Sequence, residues 1–265
     1  MTALENLLNY YNQLPVSSTT KAVLRQCLAH VNQIGDLTIY ELADVCYTST
    51  ATISRLVKSL GYKSYSVFQS SLAEHCSRYD YHNRFSVDQI SGAHSPKEVV
   101  LENMAYMTDE FERHVKPETY MPLVDALHQS KSVVIFCYGI YFMECALQSD
   151  LIMSGIPCDI VAGDLNQLER ARELASGDFA LFMCPDAIES TSPLRSTIEA
   201  AKKRGATICV LSSTGRQPFI HLADLVLSFS GRHYMADSFY LEMLLAVISM
   251  EYRSKYLDAP HSDLT

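Results

Sequence analysis

The sequence predicts an all-α N-terminal domain followed by an α/β C-terminal domain, and three observations carry this prediction. Apolar side chains recur at helical spacing in the first third of the chain, whereas short apolar runs alternate with longer amphipathic stretches after Lys131. Residues 1–78 hold six Lys/Arg and five Asp/Glu, so the acidic excess behind the net charge of −9 lies in the remainder. We predict a first domain at 1–78, a linker at 79–96 and a second domain at 97–265.

The composition is that of a globular protein, with 48% hydrophobic and 19% charged residues. The longest apolar runs, such as Val133–Cys137 and Met243–Ile248, are too short to span a bilayer. The first ten residues lack the basic start and cleavage site of a signal peptide. We therefore expect a cytoplasmic protein with no membrane partner.

The eight cysteines form no C-x-x-C pair, and a structural zinc site normally needs two close ligand pairs. Free and mostly buried thiols are the better interpretation. No metal and no cofactor is predicted.

Two helices in the N-terminal third are indicated by spacing and capping. The range Ser18–Ile34 reads as one helix that Gly35 ends. Thr38 and Glu41 form a capping box that opens the next helix. The inward-facing residues of that helix are Ile39, Leu42, Ala43 and Cys46.

A further helix is predicted from Thr50 to Leu60, with Ser49 as its N-cap and Gly61 as its stop. Its inner stripe is Ile53, Leu56, Val57 and Leu60. Its other face is polar and basic without an acidic residue, which suits the major groove of DNA. Two short helices joined by about three residues form a helix-turn-helix. A helical hairpin in an ordinary core is the structural alternative.

The string LADVCYTSTATISRLVKSLGYKSYSVF resembles the helix-turn-helix of RpiR-type regulators. The matching elements are Leu42-Ala43, Ser49, Thr52-Ile53-Ser54-Arg55, Leu60-Gly61-Tyr62 and Tyr65. The resemblance covers roughly residues 1–75 and implies an operator in double-stranded DNA as the partner.

The resemblance also implies which side chains contact the operator. Those expected to face bases are Thr50, Thr52, Ser54 and Arg55, and those expected near phosphates are Ser49, Lys58, Lys63 and Tyr65. Thr38, at the start of the preceding helix, is a further DNA-binding candidate. Three of these have structural alternatives, since Ser49 can serve as a cap, Thr52 can pack, and Tyr65 can belong to the core. Tyr47 departs from the pattern, because such turns often carry Gly, and it is expected to take a positive φ.

Alternating strands and helices in the C-terminal part predict βαβ units and a parallel sheet covered on both faces. The predicted strands are Ser132–Tyr138, Cys158–Ala162, Phe179–Cys184, Thr207–Ser212 and Leu225–Phe229. The predicted helices are 96–115, 117–129, 141–154, 166–175, 193–204, 216–223 and 237–256.

The succession SVVIFCYG, IPCDIVAGD, GDFAL, AAKKRGATICVLSS and LADLVLSFSG resembles the sugar isomerase (SIS) domain. The resemblance covers about residues 131–231. It implies a five-stranded, flavodoxin-like parallel sheet that binds phosphosugars at the carboxyl ends of its strands. The residues expected to bind the ligand are Tyr138, Gly139, Ser190, Thr191, Ser192, Ser212, Ser213 and Thr214.

The loops at this expected ligand site depart from the family pattern. After the first strand the chain has Tyr138-Gly139-Ile140-Tyr141 in place of a Ser-containing Gly-rich turn, and Asp186 and Glu189 follow the third strand. Three interpretations stay open: a phosphosugar pocket with altered contacts, a pocket for an uncharged or cationic ligand, and a pocket that binds nothing in a domain that only dimerises. Apolar residues in Phe239–Met250 lie on more than one face, so this segment is either deep core or an oligomer interface. The resemblance to SIS domains, which commonly dimerise, favours an interface.

The sequence thus predicts a homodimeric, DNA-binding regulator of carbohydrate or amino-sugar metabolism that senses a phosphosugar or related metabolite. A scaffold that binds DNA and another protein is one alternative, and a sugar-phosphate isomerase is another. No set of candidate acid and base groups forms a catalytic motif, so we predict no enzyme activity.

Overall fold

The computed structural model describes residues 3–77, 95–137, 142–162, 164–184, 193–213, 219–229 and 234–258. The chain divides into two compact units, one made of Met1–Asp80 with Gly163–Leu165 and the other of Tyr81–Ala162 with Asn166–Thr265. The predicted linker bounds lie largely in residues outside the described ranges. Helix α6 begins at Pro96, one residue before the predicted second domain, with Ser95 as its N-cap.

The N-terminal unit is built from five helices that share one core. They are α1 (Ala3–Gln13), α2 (Thr19–Ala29), α3 (Ile39–Val45), α4 (Thr50–Ser59) and α5 (Tyr65–Ser77). Fully buried side chains from all five helices or their caps form the core, including Leu7, Leu24, Leu42, Ile53 and Leu72. The predicted inward residues of α3 and α4 belong to this core, with Ile39 partly buried.

The predicted single helix Ser18–Ile34 was wrong in its second half. Helix α2 ends at Ala29 with His30 as C-cap, and Val31–Gln33 form a separate 3₁₀ turn. Gly35 therefore does not cap the helix. A Cβ atom at Gly35 would lie 2.9 Å from the Cβ of Ala73 in α5, so glycine permits close approach of two segments there.

The C-terminal unit contains a five-stranded parallel sheet in the order β2-β1-β3-β4-β5. The strands are β1 (Ser132–Cys137), β2 (Cys158–Ala162), β3 (Asp178–Cys184), β4 (Thr207–Ser212) and β5 (Leu225–Ser228). This confirms the predicted flavodoxin-like order. The strand bounds agree with the prediction to within one residue at each end that the structure describes.

Six helices surround or precede this sheet: α6 (Pro96–His114), α7 (Pro117–His128), α8 (Phe142–Met153), α9 (Asp164–Glu173), α10 (Pro193–Lys203) and α11 (Tyr234–Tyr256). Alternate strand residues enter two separate cores. Val133 and Ile135 pack with α6, α7, α8 and α11, whereas Val134 and Phe136 pack with α9 and α10. The predicted helix 216–223 is represented by a 3₁₀ turn at Ile220–Leu222, and residues 214–218 lie outside the described ranges.

Among the described helices, none has the length and the apolar character that a membrane crossing requires.

Candidate DNA-binding surface and candidate effector site

The start of α3 is fixed by the predicted capping box. The Thr38 hydroxyl oxygen accepts from the amide of Glu41 at 3.3 Å, and the Glu41 carboxylate accepts from the amide of Thr38 at 2.7 Å. The hydrogen bonds from the backbone and then the side chain of Thr38 hold the pKa of Glu41 below its usual range. The box is exposed, so its contribution is to set where α3 begins.

The turn between α3 and α4 is a Schellman motif with a tyrosine in the left-handed position. Tyr47 has a φ of 52°, which confirms the sequence prediction. The amide of Thr48 donates to the carbonyl of Ala43 at 2.9 Å, and the amide of Tyr47 donates to that of Asp44 at 3.0 Å. Since Tyr47 is 89% exposed, backbone hydrogen bonds and not side-chain packing hold this conformation.

Ser49 is the N-cap of α4, as predicted, and its side chain accepts from the amide of Thr52 at 3.2 Å. The two hydroxyl oxygens of Ser49 and Thr52 also lie 3.0 Å apart. Gly61, with a φ of 95°, ends the helix in a second Schellman motif. Helices α3 and α4 with their three-residue turn therefore form a helix-turn-helix.

The outer face of α4 carries the predicted base-facing residues. Thr50 and Ser54 are half-buried, whereas Arg55 and Lys58 are exposed. Arg55 lies along its own helix, with its Nε 3.4 Å from the carbonyl of Ala51. Residues 45–73 contain no Asp or Glu, so this face is positively charged.

Lys63 and Tyr65, which were both predicted to contact phosphates, differ in exposure. Lys63 is exposed just after α4. Tyr65 is half-buried, and its hydroxyl donates to the carbonyl of Leu37 at 2.6 Å. Burial is the main cause that raises the pKa of Tyr65 to about 12. The Tyr65 hydroxyl thus has a partner within the unit, and its contact with phosphate stays a prediction.

An exposed side chain that sequence reasoning did not single out is Tyr40. It lies in the first turn of α3, two residues after Thr38, and it is 71% exposed. The first helix of a helix-turn-helix crosses the DNA backbone. The sequence signal that could have indicated Tyr40 is an aromatic residue in the first turn of that helix.

In the C-terminal unit, the strand order places the topological switch point at β1 and β3, where ligands of such sheets bind. Six of the predicted ligand residues lie outside the described ranges, namely Tyr138, Gly139, Ser190, Thr191, Ser192 and Thr214. Ser212 and Ser213 lie at the carboxyl end of β4, beside Cys184 of β3, and both are buried.

Polar side chains that the sequence did not single out lie at the same edge of the sheet. The Gln167 side chain donates to the carbonyl of Cys137 at 2.8 Å and to that of Val161 at 3.2 Å, so it joins the ends of β1 and β2. Glu242 of α11 accepts from the amide of Met143 at 3.2 Å. Gln167 is almost fully buried in a helix in which half of the residues are charged, and only the tertiary structure shows its partners.

Two carboxylates are close to the end of β1. Glu144, in the first turn of α8, is buried, and Glu242 accepts a hydrogen bond from that turn. Burial first, and then both carboxylates, raise the pKa of Cys137. Within the described part of the chain, no three His, Cys, Asp or Glu side chains are grouped so that they could hold a metal ion.

The fold defines the class of protein: a chain with a helix-turn-helix unit and a flavodoxin-like α/β unit. Residues 1–79 match the model of the helix-turn-helix domain of the rpiR family. These residues therefore form an rpiR-family helix-turn-helix domain.

Most of the chain is similar to two known proteins. It is 22% identical over 240 residues to an uncharacterised HTH-type transcriptional regulator in the aarA 3′ region of Providencia stuartii, covering 85% of this chain and 78% of that protein. The solved structure of the Vibrio vulnificus NanR protein complexed with ManNAc-6P aligns with a TM-score of 0.50 at 19% identity, over 96% of this chain and 92% of that one.

A third similarity concerns the C-terminal unit. The sugar isomerase domain of an RpiR transcription factor from Sphaerobacter thermophilus aligns with a TM-score of 0.46 at 17% identity, over 62% of this chain and 97% of that one.

Proposed function

We propose that this protein is a dimeric transcriptional regulator that binds an operator through α4 and senses a phosphosugar or related metabolite in its C-terminal unit. The observation that carries the proposal is the helix-turn-helix of residues 38–62, with a capped recognition helix whose outer face is basic and free of acidic residues. We infer a cytoplasmic site of action from the DNA target, and we assign no catalytic activity to the protein.

The contacts with DNA are divided between two groups of side chains. Arg55 and its polar neighbours on α4 read base edges, and Ser49, Lys58 and Lys63 contact phosphates, with Thr38 and Tyr65 at the margin. Arg55 is the sharpest test, because arginine makes the commonest specific contact with guanine. We expect Arg55→Ala to weaken binding to a selected operator by about 1–3 kcal/mol.

The experiment selects DNA from a random pool with the purified chain and then measures affinity by fluorescence anisotropy at fixed salt. Arg25→Ala is the matched control, since Arg25 is also an exposed arginine of the N-terminal unit but lies on α2. An Arg55→Ala variant that binds the selected operator as tightly as the parent chain excludes Arg55 as a base-reading residue.

Exposed apolar side chains on α8 and α11 support a dimer. Phe142 and Met153 of α8 and Phe239 and Met250 of α11 are exposed in the single chain, at fractions between 46% and 81%. Since scattered single apolar residues are ordinary but a group on neighbouring helices is not, a second copy is the expected occupant. A twofold dimer would place two α4 helices on half-sites about 34–36 Å apart, or a multiple of that spacing.

Sedimentation equilibrium tests the dimer. Met250→Asp is expected to shift the chain toward monomer, while Val16→Asp, an equally exposed apolar position in the N-terminal unit, leaves the mass unchanged. A Met250→Asp chain that remains dimeric removes α11 from the interface.

A phosphosugar effector is supported by the strand order of the C-terminal unit and by the similarity to the NanR protein, which was solved in complex with ManNAc-6P. Ligand at a hundred times its Kd stabilises the folded state by about 2.7 kcal/mol, which a thermal-shift screen detects. The panel comprises sugar phosphates, amino-sugar phosphates and their unphosphorylated parents. A hit that also changes operator affinity supports a ligand-gated regulator. If no compound shifts the melting temperature, the phosphosugar assignment is contradicted in favour of a pocket for a different ligand or a dimerisation module. Turnover of any sugar phosphate contradicts the non-enzymatic assignment.

A further inference from the structure

Two cysteine thiols meet in the core of the N-terminal unit. Cys27 lies in α2 and Cys46 is the C-cap of α3, and their Sγ atoms are 3.4 Å apart. They are 2% and 3% exposed, respectively. A disulfide requires an Sγ–Sγ distance of about 2.05 Å, so the two sulfur atoms are about 1.4 Å from bonding distance. Nineteen residues separate the two cysteines in the sequence, and only the packing of α2 against α3 brings them together.

The two thiols are not equivalent. The hydrogen bond between them lowers the pKa of Cys46, whereas the same hydrogen bond and then burial raise the pKa of Cys27. Cys46 is thus the thiol that ionises more readily. Because the thiolate is the nucleophile in cysteine chemistry, Cys46 is the one that reacts first with an oxidant.

Access to Cys46 needs only a local opening. It is the last residue before the surface turn, and the next residue is the exposed, left-handed Tyr47. Its amide donates to the carbonyl of Leu42 at 3.0 Å, and with the bonds of Tyr47 and Thr48 it closes the last turn of a seven-residue helix. Helix ends open far more often than the whole domain unfolds, so a small oxidant reaches this sulfur without global unfolding.

We propose that Cys27 and Cys46 are a reversible oxidation site, at which hydrogen peroxide converts the two thiols into a disulfide that weakens DNA binding. The Cys46 thiolate attacks one peroxide oxygen, so that an S–O bond forms, the O–O bond breaks, and the leaving hydroxide takes up the thiol proton as water. The Cys27 thiolate then attacks the sulfur of Cys46, forming the S–S bond and releasing the second oxygen as water with the proton of Cys27. Two thiols lose two electrons, and one peroxide becomes two waters.

The disulfide acts on DNA binding through the turn. Drawing the end of α3 toward α2 displaces Tyr47 and Thr48, and the amide of Thr48 is bonded to Ala43 of the same helix end. Ser49, which caps α4, follows directly. The recognition helix therefore shifts with the cross-link. This consequence rests on the proposed DNA-binding function, whereas formation of the disulfide does not.

The test uses the full chain carrying Cys76→Ser and Cys145→Ser, because these are the two cysteines that are not buried. The protein is treated with hydrogen peroxide, alkylated, digested without reductant and analysed by mass spectrometry. We expect a peptide pair linked through Cys27 and Cys46, two hydrogens lighter than the reduced pair and separated again by dithiothreitol. Cys27→Ser and Cys46→Ser each abolish it, and Cys27→Ala and Cys46→Ala replace them if circular dichroism shows that either serine variant is unfolded.

The second readout is affinity for DNA selected from a random pool by the reduced protein. We expect oxidation to weaken binding about tenfold, as for the loss of one good base contact, and dithiothreitol to restore it. If the cross-link is absent under conditions that oxidise Cys145 in the parent chain, the proposed oxidation site is overturned. A cross-link with unchanged DNA affinity overturns the switch. A reduced protein that binds no DNA contradicts the proposed function instead, because the mass measurement is independent of DNA.

Discussion

Replacing Tyr47 by glycine isolates the strain stored in the turn of the helix-turn-helix. A left-handed conformation costs an L-residue about 1–2 kcal/mol, and Tyr47 adopts it with a φ of 52°. Its side chain is 89% exposed, so little packing is lost on substitution. Glycine lowers the strain but costs about 0.5–1 kcal/mol more backbone entropy on folding. We therefore expect Tyr47→Gly to stabilise the N-terminal unit by about 0.5–1 kcal/mol.

Amide hydrogen exchange of the full chain, read by mass spectrometry in peptides from α3 and α4, measures this effect without interference from the C-terminal unit. The expected gain slows exchange through domain opening about 2–5-fold, because 1.4 kcal/mol corresponds to a factor of ten. In thermal unfolding, 1 kcal/mol shifts the midpoint of a domain of 60–100 residues by about 4–8 °C.

Tyr47→Ala is the control that separates backbone from side chain. Alanine removes the ring but keeps the Cβ atom, so it retains the left-handed strain, and we expect its exchange to match that of the parent chain. The reasoning is refuted if Tyr47→Gly exchanges faster than the parent chain, or if Tyr47→Ala is stabilised as much as Tyr47→Gly. In either case the positive φ of Tyr47 does not lower the stability of the N-terminal unit.

Four further substitutions test other parts of the fold. Thr38→Ala removes the N-cap of α3 and is expected to cost about 1 kcal/mol in urea unfolding. The pKa of the Glu41 carboxyl is lowered in the folded state. The stabilisation from Glu41 is therefore present above its unfolded pKa near 4.3 and is lost as the pH falls through the folded pKa. Glu41→Gln should reduce this loss of stability at acidic pH. Tyr65→Phe removes the hydrogen bond to the carbonyl of Leu37 and should lower the free energy of unfolding by about 0.5–1.5 kcal/mol. If the substitution also reduces the salt dependence of DNA binding, Tyr65 contacts a phosphate as well. Phe182→Ala creates a cavity in the sheet core and should cost about 3–5 kcal/mol, and a smaller loss would indicate that the core collapses around it.

Local chemistry explains which parts of the fold were predictable from sequence. The Thr38–Glu41 box, the Ser49 cap and the Gly61 stop each depend on residues within four positions of one another, and all three were confirmed. The buried strands were predictable for a similar reason, since a strand covered on both faces is a short, continuous apolar run.

Contacts between distant segments explain what the sequence did not predict. Helix α2 begins at Thr19 and ends at Ala29. Gly35 does not cap this helix but permits close approach to Ala73 in α5. The periodicity continues through Ile34, which is fully buried, so the pattern records burial but not the break in the helix. The eight cysteines were correctly predicted to be free and mostly buried, yet nothing in their spacing indicated which two would touch.

The first turn of α8 bears on where an effector phosphate can bind. In this fold a helix N-terminus following a strand is a natural anion site, because its amides are free to donate. Here the amide of Met143 already donates to Glu242 at 3.2 Å, and Glu144 is buried one residue on. A phosphate placed about 5 Å from a carboxylate is repelled by about 3 kcal/mol per unit charge at an effective dielectric of 20. We therefore propose that the phosphate of any effector binds away from the first turn of α8.

Glu242→Gln tests this placement, because the amide keeps an acceptor for Met143 while the charge is lost. Against the panel of sugar phosphates, isothermal titration should show phosphorylated ligands binding up to about tenfold more tightly, with their unphosphorylated parents unchanged, since only the longer-range repulsion is relieved. Glu251→Gln is the matched control, nine residues along the same helix, where the carboxylate accepts from Tyr120 at 3.1 Å. If Glu242→Gln weakens both classes of ligand equally, the carboxylate binds the sugar itself. The effector would then be recognised through its hydroxyl or amino groups at α8.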